Sequence, residues 1–278
     1  MRIVLLSAAA VALSGCSWLG LGGNSGSYGH NIGTYKAPSY QNAAQHRNDG
    51  CNGCTLSRWN VEGGVGTEFV TGNNFLRASQ AEPIPGTALT SVSMDDAFDE
   101  GVRYEIGGSY ALNPNRKISL LGYNTSHNGN RVTLGSQVGA PVIGDVSDYD
   151  SYGVEVGLRQ YALPIKAPLI KSVRPYVEGR VGVANVDDIA LTNVTRGGVN
   201  AANIGLYENS WVPTGAGLVG LETPVFNRFT MGVETGIRYN GDLDVDRSSL
   251  APGTAFAGAN TGGDKWSVPL TLRGRYRF

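Results

Sequence analysis

The sequence predicts an all-β fold, an eight-stranded antiparallel up-and-down transmembrane β-barrel. Three observations predict it. Segments of roughly 9–14 residues alternate apolar and polar side chains, the length and rhythm of strands that meet lipid on one face and a polar interior on the other. The connections between them alternate long and short. No apolar run reaches the ~18 residues that a spanning helix needs.

Residues 265–278 show the rhythm most clearly. Trp266, Val268, Leu270, Leu272, Gly274, Tyr276 and Phe278 form one set, and Lys265, Ser267, Pro269, Thr271, Arg273, Arg275 and Arg277 the other. A soluble β-sandwich strand also alternates, but it seldom points three arginines into a closed core. A membrane barrel strand does so naturally, with Trp and Tyr at the two interfaces.

Taken in order, the first strand spans about 58–70, with Trp59, Val61, Val65 and Phe69 opposed to Glu62 and Glu68. A loop over 71–97 follows, with room for one helical turn capped by Ser93 and Asp96. The second strand, about 102–112, sets Val102, Tyr104, Ile106, Tyr110 and Leu112 against Arg103 and Glu105. Asn113-Pro114-Asn115-Arg116 reads as a tight turn. The third strand, about 117–125, does not alternate cleanly enough to assign its faces. A loop of about 23 residues leads to the fourth, about 149–162, where Tyr152, Val154, Val156 and Leu158 oppose Glu155 and Arg159. The fifth covers about 174–186, with Glu178 and Arg180 inward beside Tyr176. A loop over 187–208 precedes the sixth, about 210–222, in which Trp211, Val219 and Leu221 face out and Glu222 faces in. The seventh, about 229–240, alternates Phe229, Met231, Val233, Ile237 and Tyr239 with Glu234 and Arg238. A Gly/Ala/Asp-rich loop over 241–264 leads into the last strand.

Long odd-numbered connections and an even strand count place both ends of the barrel on one side, the periplasmic one. The N-terminal segment fits that topology. Residues 1–15 read as a lipoprotein signal peptide, with Arg2 as the positive end and a short apolar stretch. Leu13-Ser14-Gly15-Cys16 resembles a bacterial lipobox, which implies acylation of Cys16 (palmitate among the chains) and, with Ser17 following, sorting to the outer membrane. An ordinary signal peptide cut nearby, with Cys16 incidental, is the alternative. Residues 16–56 read as a lipid-anchored periplasmic tether, and 57–278 as the barrel. Within the tether, Cys51 and Cys54 form C-N-G-C. A small structural disulfide is expected there, because a thiol-oxidoreductase motif needs a helix start and a thioredoxin-like context. The spacing offers no zinc site.

The inward-facing charges are the candidate site: Glu62, Glu68, Arg103, Glu105, Glu155, Arg159, Glu178, Arg180, Glu222, Glu234, Arg238, Arg273, Arg275 and Arg277. Acid and base nearly match. An eight-stranded barrel is just wide enough for side chains to fill, and unpaired buried ions cost several kcal/mol. A salt-bridge plug is therefore expected, and a gated ion path is the alternative. Catalysis is not expected: the one histidine of the barrel region, His127, lies beside Ser126 with Asp145, Asp148 and Asp150 in the same loop, but adjacent strand residues point to opposite faces.

The terminal R-G-R-Y-R-F, the E-T-G-I-R-Y and V-E-G-R-V-G strands, and S-M-D-D-A-F-D-E-G-V-R-Y before the second strand together resemble the OmpA/OmpX-like family of eight-stranded outer-membrane proteins. The resemblance implies that Tyr276 and Phe278 form the signal read by the barrel assembly machinery. It also implies outer-membrane lipid and lipopolysaccharide as surroundings and lipoprotein sorting machinery during biogenesis. A formal net charge of −1 gives no reason to expect nucleic acid, and no cofactor or metal is expected. The expected role is structural or surface-interactive, in adhesion or envelope integrity. A small-solute channel and a rim-active lipid A hydrolase are the alternatives.

Overall fold

Hydrocarbon offers no water to a strand's N–H and C=O groups, so a sheet within it must close on itself. A computed structural model shows how this chain does so, over residues 58–78, 87–165, 172–226, 228–247 and 263–278. The expected signal peptide, the tether, Cys16, Cys51 and Cys54 lie outside the described residues.

The elements run β1 (Trp59–Thr71), β2 (Asn74–Leu76), β3 (Thr87–Leu89), β4 (Val92–Ser93), α1 (Met94–Ala97), β5 (Gly101–Asn113), β6 (Arg116–His127), β7 (Arg131–Gln137), β8 (Ala140–Val146), β9 (Tyr149–Tyr161), β10 (Arg174–Val186), β11 (Ile189–Arg196), β12 (Val199–Tyr207), β13 (Ser210–Pro224), β14 (Phe229–Asn240) and β15 (Lys265–Arg277). Eight of them form a closed barrel in the order β1-β15-β14-β13-β10-β9-β6-β5. Each pairs antiparallel with its neighbours, and the ring closes where Val61 lies opposite both Tyr276 and Gly108. This is the predicted fold class.

Polarity is inverted relative to a soluble protein. Ile106 is 70% and Val181 69% exposed, whereas Glu62 is 1% and Arg238 1% exposed. The outward apolar side chains lie between two aromatic belts. Trp59, Tyr276 and Phe278 stand at the end bearing the chain termini of the barrel, and Phe69, Tyr104, Tyr152, Trp211 and Trp266 stand at the other. From Trp59 to Phe69 is about 33 Å along a strand, or about 25 Å after a tilt near 40°, the height of the apolar band of a membrane barrel. The barrel is therefore transmembrane.

The third barrel strand, ambiguous in sequence, is resolved by its neighbours. Ser119, Leu121, Tyr123, Thr125 and His127 are buried, while Ile118, Leu120, Asn124 and Ser126 are exposed. An inward Leu121 beside an outward Leu120, then an inward Tyr123 beside an outward Asn124, hid the alternation. At the β5–β6 turn the Asn113 side-chain oxygen accepts from the Asn115 backbone N–H at 2.9 Å, tightening the chain around Pro114.

The long connections correct the sequence reading, which left them as loops. Among the described residues they contain seven further strands. Strands β7, β8, β11 and β12 continue β6, β9, β10 and β13 past the barrel, and with β3 they form a five-stranded sheet ordered β12-β11-β8-β7-β3. Strands β2 and β4 pair separately. Helix α1 forms at the expected place, but the Ser93 hydroxyl bonds the Asp96 carboxylate at 2.6 Å and caps no backbone N–H.

Above the barrel the polarity reverts to that of a soluble protein. Val132, Leu134, Val146, Ile189, Leu191 and Leu206 of the five-stranded sheet bury one face against Phe75, Met94 and Phe98. Phe75 packs edge-on to Phe98 at 5.4 Å and near Tyr207 at 5.7 Å, and the Tyr207 hydroxyl donates to the Phe75 carbonyl at 2.7 Å. Phe98→Ala should loosen this cap by about 3–5 kcal/mol. Amide hydrogen exchange should then quicken in β7, β8, β11 and β12, while the unheated protein still migrates ahead of the boiled one on a denaturing gel, because the barrel does not depend on Phe98.

Candidate functional site: the charged interior and its ends

The closed ring sends every second side chain into a lumen too narrow to hydrate them. Among the described residues, seven glutamates (62, 68, 105, 155, 178, 222 and 234) are buried with six arginines (103, 159, 180, 238, 273 and 275) and Lys265. Formal charge therefore cancels inside. Lys265 was not among the expected network residues. Its signal was present in the sequence, since it shares the parity of Ser267 and Arg273. Arg277 corrects the expectation in the other direction: it was counted inward and stands exposed at the end of β15.

The pairs form three tiers. Nearest the chain termini of the barrel, Arg275 grips Glu222 with both terminal nitrogens, at 2.7 and 2.8 Å, and donates to the Tyr161 hydroxyl at 2.6 Å. In the middle, Arg159 bonds Glu178 at 2.8 Å and Glu62 at 3.2 Å. Arg180 reaches Glu178 at 3.0 Å, Glu105 at 3.1 Å and Glu234 at 2.8 Å. Arg273 joins Glu62, Glu105 and Glu234. In the upper tier Arg103 bonds Glu105 at 2.7 Å and approaches Glu155 at 3.2 Å, while Arg238 spans Glu68 at 3.0 Å and Glu155. The Arg103 guanidinium lies 3.5 Å from the centroid of the Tyr123 ring, a stacking that a planar cation favours.

Glycine makes room for this lattice. A Cβ on Gly157 would lie 2.5 Å from Ser119 Oγ and 2.6 Å from Glu178 Oε1. At Gly101 it would lie 2.4 Å from the His127 ring.

His127 closes the lattice at the top. The Lys265 ammonium donates to its Nε2 at 2.9 Å, which leaves Nδ1–H to donate to the Asp99 carbonyl at 3.0 Å. Glu68 is 3.8 Å from the same ring. Ser126 points out of the barrel. Asp145 lies 3.8 Å from Arg131, and Asp148 accepts from the Gly129 N–H at 3.0 Å. The Ser-His-Asp arrangement conceivable on paper is thus not assembled. Among the described residues no three His, Cys, Asp or Glu side chains gather as a metal site.

Glu105 serves four arginines at once: 103, 180, 238 and 273. Glu105→Gln removes the charge they share and should cost about 3–5 kcal/mol, the penalty for stranding buried cations. Urea unfolding from lipid vesicles reads this as a lowered midpoint, and an unchanged midpoint would mean that water screens the lumen.

No protein-family model matches this chain, and none of the curated proteins does, so the resemblance to OmpA/OmpX-like barrels stays an expectation. Among solved structures the chain is similar to Neisserial surface protein A of Neisseria, at 13% identity over 80% of this chain and 99% of that one, with a TM-score of 0.41. It is also similar to Ail, the attachment invasion locus protein of Yersinia pestis, in complex with a heparin analogue, at 12% identity over 80% and 99%, TM-score 0.35. The outer membrane protease OmpT of Escherichia coli is 10% identical over 81% and 99%, TM-score 0.38. At these identities and scores the likenesses carry no argument about activity.

Proposed function

We propose that the chain is a bacterial outer-membrane barrel lipoprotein with a structural and surface-interaction role, tethered through Cys16 on the periplasmic side and offering its apical sheet to the exterior. One observation supports this above the others: the lumen is filled by mutually paired charges and roofed by an apolar core. Side chains that fill a lumen leave a solute no path, whereas a conducting pore needs water or weak, exchangeable sites along its length. What remains available for function is the outer wall and the far end. The outer wall matches a bilayer in height and polarity. The far end is a five-stranded sheet sealed on one face by an apolar core, a form suited to presenting a fixed surface. The Leu13-Ser14-Gly15-Cys16 motif supports the anchor, and the shared side of both barrel ends is where such an anchor would deliver the chain.

Planar-bilayer recording tests the first part: the full chain should insert without discrete current steps, and regular steps would overturn the structural reading in favour of a channel. Intact mass before and after Cys16→Ser tests the second, with loss of the acyl mass as the expected result.

A further inference from the structure

The near-zero net charge conceals a separation along the barrel axis. Inside, charges cancel, so the imbalance lies at the ends. The end bearing the chain termini of the barrel carries Arg58, Arg116, Arg174, Arg228 and Arg277. The glutamates nearest that level among the described residues are turned inward, Glu222 held by Arg275 and Glu62 by Arg159 and Arg273. The opposite end is dominated by carboxylates, as in the runs 95–100 and 242–246, against Arg77, Arg131, Arg196 and Arg247.

We propose that this cationic rim binds the phosphates of anionic phospholipids in the leaflet at the end bearing the chain termini. The inference rests on the barrel spanning a bilayer. The rim's cations stand beside the aromatic belt: Arg58 precedes Trp59, Arg228 precedes Phe229, and Arg277 lies between Tyr276 and Phe278. Trp59 packs against Tyr110 at 5.0 Å and Tyr276 against Phe278 at 5.7 Å. Aromatic belts settle at headgroup depth, which puts the neighbouring guanidinium groups level with lipid phosphates, whose oxygens they can grip two at a time. Arg174 and Arg116 also brace the short turns, through Pro114 O at 3.1 Å and Gln160 at 2.7 Å. Arg58 and Arg228 bond within the protein through their carbonyls, to the N–H groups of Ala111 and Arg277, and both residues are exposed.

The test uses the full chain with Trp59 as its only tryptophan (W18F/W211F/W266F), inserted in equimolar phosphatidylglycerol and phosphatidylcholine with one or the other lipid brominated. Trp59 should be quenched more strongly by brominated phosphatidylglycerol, with a relative affinity raised about fivefold per cation engaged. A companion protein whose only tryptophan is Trp211, at the acidic end, should show no such preference. R58Q/R228Q should bring the Trp59 preference down by about tenfold or more, and R58K/R228K should keep most of it. Equal quenching of Trp59 by both lipids would overturn the rim proposal alone. Absence of quenching by either would overturn the membrane-spanning reading on which it rests. Should R58Q/R228Q fail to show the heat-dependent gel shift, the contrast between Trp59 and Trp211 in the otherwise unaltered chain decides the matter.

Discussion

The structure depends on one constraint: charge placed inside a closed β-ring must be cancelled there. Eight strands leave a lumen that side chains fill, and period-two geometry commits every second residue to it. Seven glutamates, six arginines and Lys265 meet that constraint by sharing partners. A single pair across a low-dielectric gap would barely offset its own desolvation. A lattice in which Glu105 faces four arginines, and Arg180 faces Glu178, Glu105 and Glu234, spreads that cost over many bonds. It also cross-ties strands that are not neighbours in the ring: Arg238 of β14 and Glu155 of β9 meet across the lumen.

Two interiors of opposite character are stacked in one chain. Within the bilayer the apolar atoms face outward and the ions face in. Above it, Phe75, Met94, Phe98 and Leu191 form an ordinary apolar core. Tyr149 is where they meet. Its ring lies edge-on to Phe98 at 5.6 Å and to His127 at 5.7 Å, the Lys265 ammonium lies 3.9 Å from its centroid, and its hydroxyl accepts from the Asn240 side chain at 3.2 Å. An aromatic ring with a polar tip can face hydrocarbon, cation and amide at once, which a leucine or a glutamate in that position could not.

How much of this was legible depended on what each residue's neighbours share with it. Alternation is a property of one strand, so the faces of β1, β5, β14 and β15 could be read without knowing their partners. β6 could not be read that way, because Leu121 is inward for reasons that lie on other strands. The parity of Lys265 was equally visible, but a lysine at a strand's first position also suits a solvated end, and only the nearness of Glu68 and His127 places it inside. The strands of the long connections were illegible for a different reason. Runs such as β7 and β8 are seven residues each, interrupted by Gly135 and Gly144, and their buried faces gain an apolar partner only when the hairpins stack. The residues of helix α1 were legible, but not the actual partner of Ser93.

The short links from β6 to β7 and from β10 to β11 also bear on what the far end can do. A loop that emerges from a barrel by itself loses conformational entropy when it meets a partner. Here the strands leaving the barrel stay paired, β8 with β11 at Leu191–Val146 and Thr192–Asp145, and one face of their sheet is sealed on an apolar core. The face left outward, with Thr133, Asn193 and Thr195, is therefore held in place before any partner arrives. A polar surface held rigid can gain affinity from a few well-placed hydrogen bonds, where the same residues on a mobile loop would spend that gain on ordering. The ion-paired lumen matters here too, since it fixes the strands on which this face is carried.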